Sequence, residues 1–168
     1  MSDNGASVER TLVLLKPDAV ARGVMGRVLT RFEDALLKVV GSKMVWMDAE
    51  LTRRHYFDLE ERFGAGVYNA TADFMQSGPV LAFVLEGVDA VRTVRKLVGV
   101  TAPNEAAPGT IRGDLAHQSR AYAVSQGKAI ANLVHASGNT DEAKQEISVW
   151  FDESELFDYK TVADVYIA

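Results

Sequence analysis

Apolar residues along this chain fall into two spacings, short unbroken runs and stripes that return every third or fourth position. Arg10-Thr11-Leu12-Val13-Leu14-Leu15 is a run with little alternation, the pattern of a strand covered on both faces, and Lys16-Pro17-Asp18 ends it. From about Val24 to Val39, the residues Val28, Leu29, Phe32, Leu36 and Val39 form a helical stripe, with Arg27, Arg31 and Glu33 elsewhere on the circumference and Gly41 as the stop. Lys43 to Met47 reads as a second strand. Thr52 then caps a helix carrying Tyr56, Leu59 and Phe63 on one face, Gly64-Ala65-Gly66 interrupts it, and a short helical piece spans Ala70 to Met75. Ser77-Gly78-Pro79 is a turn signal before the strand Val80 to Leu85. Asp89 opens a helix with Val91, Val94, Leu97 and Val98 inward, and Gly99 closes it. Val100 to Gly113, with Pro103, Pro108 and Gly109, predicts loop, and Asp114 to Lys128 is polar and rich in alanine and serine. Ala129 to Val134 predicts the last strand, and Thr140-Asp141-Glu142 the acidic start of a helix that buries Ala143, Ile147 and Trp150. This alternation of strands and helices predicts an α+β fold. Its plan is a four-stranded antiparallel sheet with helices packed on one side, the ferredoxin-like (split βαβ) arrangement.

With 168 residues, 48% of them hydrophobic, the chain suits one domain over 9–168 behind a polar N-terminal tail over 1–8, and a disordered or fibrous reading is excluded. The formal net charge of −5 disfavours nucleic acid as the main partner but allows a local cationic pocket. Absence of cysteine removes disulfides, thiolate zinc sites and a cysteine nucleophile. The first residues, Met1-Ser2-Asp3-Asn4-Gly5-Ala6-Ser7, lack the basic and apolar regions of a signal peptide, and no apolar run is long enough to span a bilayer. A cytoplasmic protein without membrane contact is the expectation.

The chemistry gathers around His135, in Asn132-Leu133-Val134-His135-Ala136-Ser137, with Glu146 on the following helix. A neutral imidazole is a nucleophile, and a carboxylate behind one ring nitrogen fixes the tautomer that frees the other. Candidate cations lie at strand and loop ends: Lys16, Arg95 and Arg112. Several such charges suit one polyphosphate, Thr101 and Asn132 add neutral hydrogen bonds, and Mg2+ bridging the phosphates needs no dedicated carboxylate cage and no metal-ligating residue. Gly127-Lys128 is followed by alanine, so there is no Walker A loop, and Gly64-Ala65-Gly66 lacks the third glycine of a dinucleotide loop. Side chains must therefore hold the phosphates. Taken singly, each residue also has a bland explanation: a satisfied strand-end histidine, a strand-closing lysine, a solvated arginine beside Arg92 and Lys96, an Arg112–Asp114 pair, an exposed Glu146. His55 and His117 read as surface or loop residues and Trp150-Phe151 as core, none with a chemical role.

From Glu9 to Tyr159 the chain resembles a nucleoside diphosphate kinase. The resemblance runs through Glu9-Arg10-Thr11, Lys16-Pro17-Asp18, His55-Tyr56, Ser77-Gly78-Pro79-Val80, Pro108-Gly109-Thr110-Ile111-Arg112-Gly113-Asp114, Asn132 to Ser137 and Trp150-Phe151, in that order. It implies that His135 becomes a phosphohistidine oriented by Glu146, with Ser137 after it and Tyr56 beside the site. It also implies that Lys16, Arg95, Thr101, Arg112 and Asn132 contact the nucleotide. The partners implied are nucleoside triphosphates and diphosphates, ATP and GTP among them, with Mg2+ and a homo-oligomer, either a hexamer or a dimer-based tetramer. The alternative is a non-enzymatic ferredoxin-like nucleotide-binding regulatory module. Three features depart from the common family pattern. Ala136 and Gly138-Asn139 stand where a glycine and an aspartate are usual. The segment Arg62 to Tyr68 replaces the usual Pro-Phe-Phe stretch, so that Phe63 or Tyr68 would stack on the base, Val67 being the position a gapless count selects. Leu115 to Lys128 is an insertion expected to alter a subunit contact or the site rim.

Overall fold

In the computed structural model, which describes residues 7–167, the apolar run that opens the chain becomes the inner strand of a sheet. Strand β1 (Val8–Leu15) lies between β3 (Val80–Val88) and β4 (Val134–Ala136), and β2 (Lys38–Val45) is at the edge, giving the order β2-β3-β1-β4 with every pairing antiparallel. This is the ferredoxin-like plan expected. Residues 1–6 of the predicted tail fall outside the described residues, and Val8 already belongs to β1.

The helices cover both faces of the sheet, not one. Alternate residues of β1 serve opposite cores, as pleating requires. Val13 and Leu15 pack with Val28 and Phe32 of α2 (Met25–Glu33), Val94 and Val98 of α6 (Ala90–Val98), and Ile111 and Leu115 of α7 (Ile111–Leu115). Leu12 and Leu14 pack with Met75 of α5 (Ala65–Met75) and Trp150 of α9 (Thr140–Trp150). The lack of polar alternation in Leu12–Leu15 is explained by this double burial: all four are fully inaccessible.

Several predicted boundaries move. The helical stripe from Val24 breaks at Leu36, whose φ of 62° is left-handed, so α2 stops at Glu33 and Val39 belongs to β2. Gly41 is therefore no helix stop. It lies in β2 where the pairing with β3 slips between Val39 and Gly41, and a Cβ there would stand 2.9 Å from the Glu155 carbonyl oxygen. Asp48 rather than Thr52 caps α3 (Ala49–His55), accepting from the Leu51 N–H at 2.7 Å. Tyr56 ends that helix, leaving Leu59 and Phe63 on a separate α4 (Leu59–Phe63), and Gly64, with φ of 86°, joins it to α5. The expected loop from Val100 to Gly113 contains a 3₁₀ turn at Pro103–Glu105 and the start of α7, and the polar segment after it contains α8 (Arg120–Ser125), the two helices being capped by the hydroxyls of Thr110 and Ser119. Two short helices complete the chain, α1 (Pro17–Ala21) after β1 and α10 (Asp164–Ile167) near the end.

The last strand is shorter and later than predicted. Residues 129–133, apolar but for Asn132, are unpaired as strand: the Ala131 N–H is held by the Gln118 side chain, the Leu133 N–H by Asp18 Oδ2 at 3.0 Å, and Leu133 has φ of 68°. Side chains take the backbone donors that a ladder would need.

Gly41→Ala is expected to destabilise the fold by about 1–3 kcal/mol, the scale of overpacking against backbone that must shift. Urea unfolding of the variant and parent checks it; equal midpoints would show that the Glu155 segment moves freely.

Candidate active site

Antiparallel pairing sets His135 opposite Leu14, and directly paired residues share a face, so its ring points to the side covered by α3, α5 and α9. Glu146 of α9 meets it there. His135 Nε2 lies 2.8 Å from Glu146 Oε1, and the other carboxylate oxygen accepts from the Ser137 hydroxyl at 2.6 Å. Ser137 Oγ in turn accepts from the Leu12 N–H at 3.2 Å, tying the carboxylate to β1. Burial would raise the Glu146 carboxyl, but hydrogen bonds from His135 and Ser137 and the two nearby imidazoles hold it below its ordinary value. An ionised Glu146 keeps the proton of neutral His135 on Nε2. That leaves Nδ1 with its lone pair and without a partner among the described residues.

Asn139 orients this pair from a distance. Its Oδ1 accepts from the N–H groups of Asp141 and Glu142 and caps α9, while the Glu142 carboxylate accepts from Gly138 N–H and Asn139 Nδ2. The Gly138-Asn139 departure thus starts the helix that carries Glu146.

Lys16, at the tip of β1, donates from Nζ to Asn132 Oδ1 at 2.8 Å, and Asn132 Nδ2 donates to the Thr101 carbonyl at 2.8 Å. With His135, Glu146 and Tyr56 these residues line a cavity of about 830 Å³. Burial, then the Arg112 charge, lowers the Lys16 ammonium to about 8, against a smaller opposing pull from Asp18. Burial and Glu146 push the Tyr56 hydroxyl up, so it remains protonated.

Arg112 is buried, but it does not line the cavity. Its guanidinium donates to the carbonyls of Asn132, Gly99 and Val134, at 3.1 Å, 2.9 Å and 2.5 Å, so it braces the loops that present Lys16 and His135. Arg95 is exposed and also outside the cavity wall. Arg112 still acts on Lys16 by charge, and Arg95 on Arg112: burial, then Arg95, lower Arg112 to about 10. Neither Arg95 nor Arg112 is among the residues that line this cavity.

Of the two aromatic candidates for the base, Phe63 is exposed at the rim and Val67 lies beside it. Tyr68, the other, is buried, its ring is covered by the Arg53 guanidinium at 3.7 Å, and it is not among the residues that line the cavity. Arg120, Ala123, Val124 and Lys128, from the insertion, line the opposite wall, so that segment builds the rim.

His55 is the residue that sequence reasoning missed. Far from a surface position, it is buried, lines the cavity, and stacks edge-to-face on His135 with ring centroids 4.7 Å apart. Trp150, correctly placed in the core, donates from its indole N–H to His55 Nδ1 at 3.2 Å. Burial first, then the charges of His135 and Lys16, depress His55 to about 3, so it stays neutral. Its signal was spacing: His55 follows buried Thr52 by three positions on one helix face. His117 is an exposed loop residue, as expected.

A split βαβ fold with an imidazole held by a carboxylate, and a lysine lining the same cavity, suits the class of phosphotransferases. The comparisons make this specific. A family model described as nucleoside diphosphate kinase matches residues 9–156. The Pyrococcus furiosus nucleoside diphosphate kinase is 46% identical over 157 residues, 94% of this chain and 91% of that protein. The Borreliella burgdorferi enzyme is 43% identical over 155 residues, covering 91% and 93%. Among solved structures, a transition-state mimic of the Borrelia burgdorferi kinase with bound vanadate and ADP has a TM-score of 0.92 at 41% identity, covering 95% of this chain and 96% of that one. A Halobacterium salinarum enzyme in complex with CDP has a TM-score of 0.83 at 40% identity, covering 96% and 99%. This chain belongs to the nucleoside diphosphate kinase family, and its function is phosphoryl transfer between nucleotides. The purely regulatory nucleotide-binding alternative is not favoured.

The Lys16 value sets a pH limit. In the free enzyme its charge disappears as pH rises through about 8, so kcat/KM should fall on that side, approaching tenfold per pH unit. Stability moves oppositely: the unfolded lysine stays protonated up to its ordinary 10.5, so this group's contribution to stability grows with pH between about 8 and 10.5. A pH–rate profile at low substrate checks the limb; its absence would mean that Lys16 keeps its proton.

Proposed function

We propose that the transfer proceeds by a ping-pong mechanism through a phosphohistidine on His135. The observation that carries the reading is the 2.8 Å contact from His135 Nε2 to Glu146, which turns Nδ1 toward the cavity as the free nucleophile. Nδ1 forms a bond to the γ-phosphorus of a nucleoside triphosphate, ATP or GTP among others, as the bond to the β–γ bridging oxygen breaks and the diphosphate leaves with its electron pair. The second half reverses these events: an oxygen of another diphosphate attacks, the N–P bond breaks, and the ring returns neutral. Glu146 holds the imidazole proton throughout and steadies the positive ring of the intermediate. Lys16 neutralises charge on the transferring group, with Arg112 and Arg95 adding positive field from behind it. Asn132 and Thr101 bond the sugar and phosphates, Tyr56 and Ser137 fix the surroundings of the nucleophile, and Phe63 covers the base.

The cavity's ligand-type cluster among the described residues is His55, His135 and Glu146, richer in nitrogen than magnesium prefers. That donor set fits Mg2+ arriving on the nucleotide's own phosphates, where it offsets their charge. Few side chains here could read base edges, and stacking accepts every base, so specificity is broad. The reading extends to a single domain over 9–168, a cytoplasmic location, and a homo-oligomer, hexamer or dimer-based tetramer. For these the family resemblance is the support, together with the finding that no described helix is long and apolar enough to cross a membrane.

With γ-labelled ATP the protein should acquire acid-labile, base-stable phosphate that any nucleoside diphosphate discharges. His135→Asn should acquire none, and equal labelling of that variant would refute the mechanism. Lys16→Ala should retain labelling but with kcat lower by about two to three orders of magnitude, the scale of losing one transition-state donor. Stopped-flow turnover would measure it.

A further inference from the structure

The hydrogen bond between Trp150 and His55 has a polarity that decides which nitrogen of His55 carries its proton. An indole N–H can only donate, so the His55 Nδ1 facing it at 3.2 Å must offer a lone pair. A neutral ring with an unprotonated Nδ1 holds its hydrogen on Nε2, and Nε2 is buried without a partner among the described residues.

This ring stands in demanding company. His55, His135 and Glu146 each place a ligand-type atom within 4.8 Å of the others. Two imidazoles and one carboxylate are a complete protein ligand set for zinc, which binds imidazole far more readily than magnesium does. A zinc ion held there would draw Glu146 and His135 away from each other and undo the contact that orients the nucleophile. Yet the polarity around His55 is the reverse of a metal site. A ligating histidine donates its second N–H to a carbonyl or carboxylate, leaving a lone pair for the metal. The second nitrogen of His55 is instead served by a donor.

We propose that the Trp150–His55 hydrogen bond locks His55 as the Nε2–H tautomer and thereby withholds the third ligand, keeping transition metals out of the catalytic cavity. Trp150 and His55 are positioning residues on this account, acting through the freedom of His135 and resting on its reading as nucleophile. Zinc capture is measured without turnover, so failure of this inference is distinct from failure of the phosphohistidine mechanism, which labelling alone decides.

Two measurements test the lock. Nitrogen-15 spectra of the imidazoles in the wild-type protein near neutral pH should show the His55 proton on Nε2; a proton on Nδ1 overturns the proposal. Calorimetric titration of the nucleotide-free protein with zinc chloride should show Trp150→Phe binding at least about tenfold more tightly than wild type, the scale of changing an outer-shell partner of a ligand. Adding His55→Gln to Trp150→Phe should abolish the gain. A folded Trp150→Phe protein with unchanged zinc affinity, or a gain that persists in the double variant, refutes it. Should Trp150→Phe fail to fold, the wild-type spectrum decides alone.

Discussion

Burial of β1 on both faces is the constraint from which the rest of this structure follows. Leu12 to Leu15 are inaccessible because two separate cores meet on that strand, one under α2, α6 and α7 and the other under α5 and α9. An inner strand of this kind leaves the sheet only at its tip, and there it delivers Lys16. Its unoccupied edge receives β4, in a register that turns His135 toward the face where α9 brings Glu146. Ser137 closes the circuit by bonding both the Glu146 carboxylate and the backbone of Leu12. The His135–Glu146 pair is thus anchored to a strand buried on both faces, which fixes its geometry.

Charge is handled by layering rather than by crowding the cavity. Lys16 alone among the three expected cations faces the open space, while Arg112 spends its donors on three carbonyls behind it and Arg95 stands further out. The carbonyls hold the buried guanidinium without neutralising it, so its field still reaches Lys16 and lowers its proton affinity. An acidic chain of net charge −5 therefore presents a positive interior to a polyphosphate.

The rim is built from the least regular parts of the chain. One wall comes from the short helices α4 and α5 with Phe63 and Val67, the other from α8 inside the insertion with Arg120 and Lys128. The insertion is fastened by Gln118, which accepts from the Ala131 N–H, while Asp18 takes the Leu133 N–H.

Hydrophobic spacing was enough to determine the number and order of the strands (though not the bounds of β2 and β4), the antiparallel ferredoxin-like plan and the helices that carry Val94 and Trp150, because burial imposes its period on the residues that experience it. Residue chemistry picked out His135, Glu146 and Lys16 as candidates, and the structure brings all three to one cavity. Tertiary structure alone decided the placement of helices on both sheet faces, the left-handed break at Leu36, the burial of His55 against Trp150, the turn of Tyr68 away from the cavity, and the engagement of Arg112 by carbonyls. Each of these depends on which remote group satisfies a donor or covers a ring. A one-dimensional pattern records that a position is buried or polar, but the partner's identity arises only when distant segments meet.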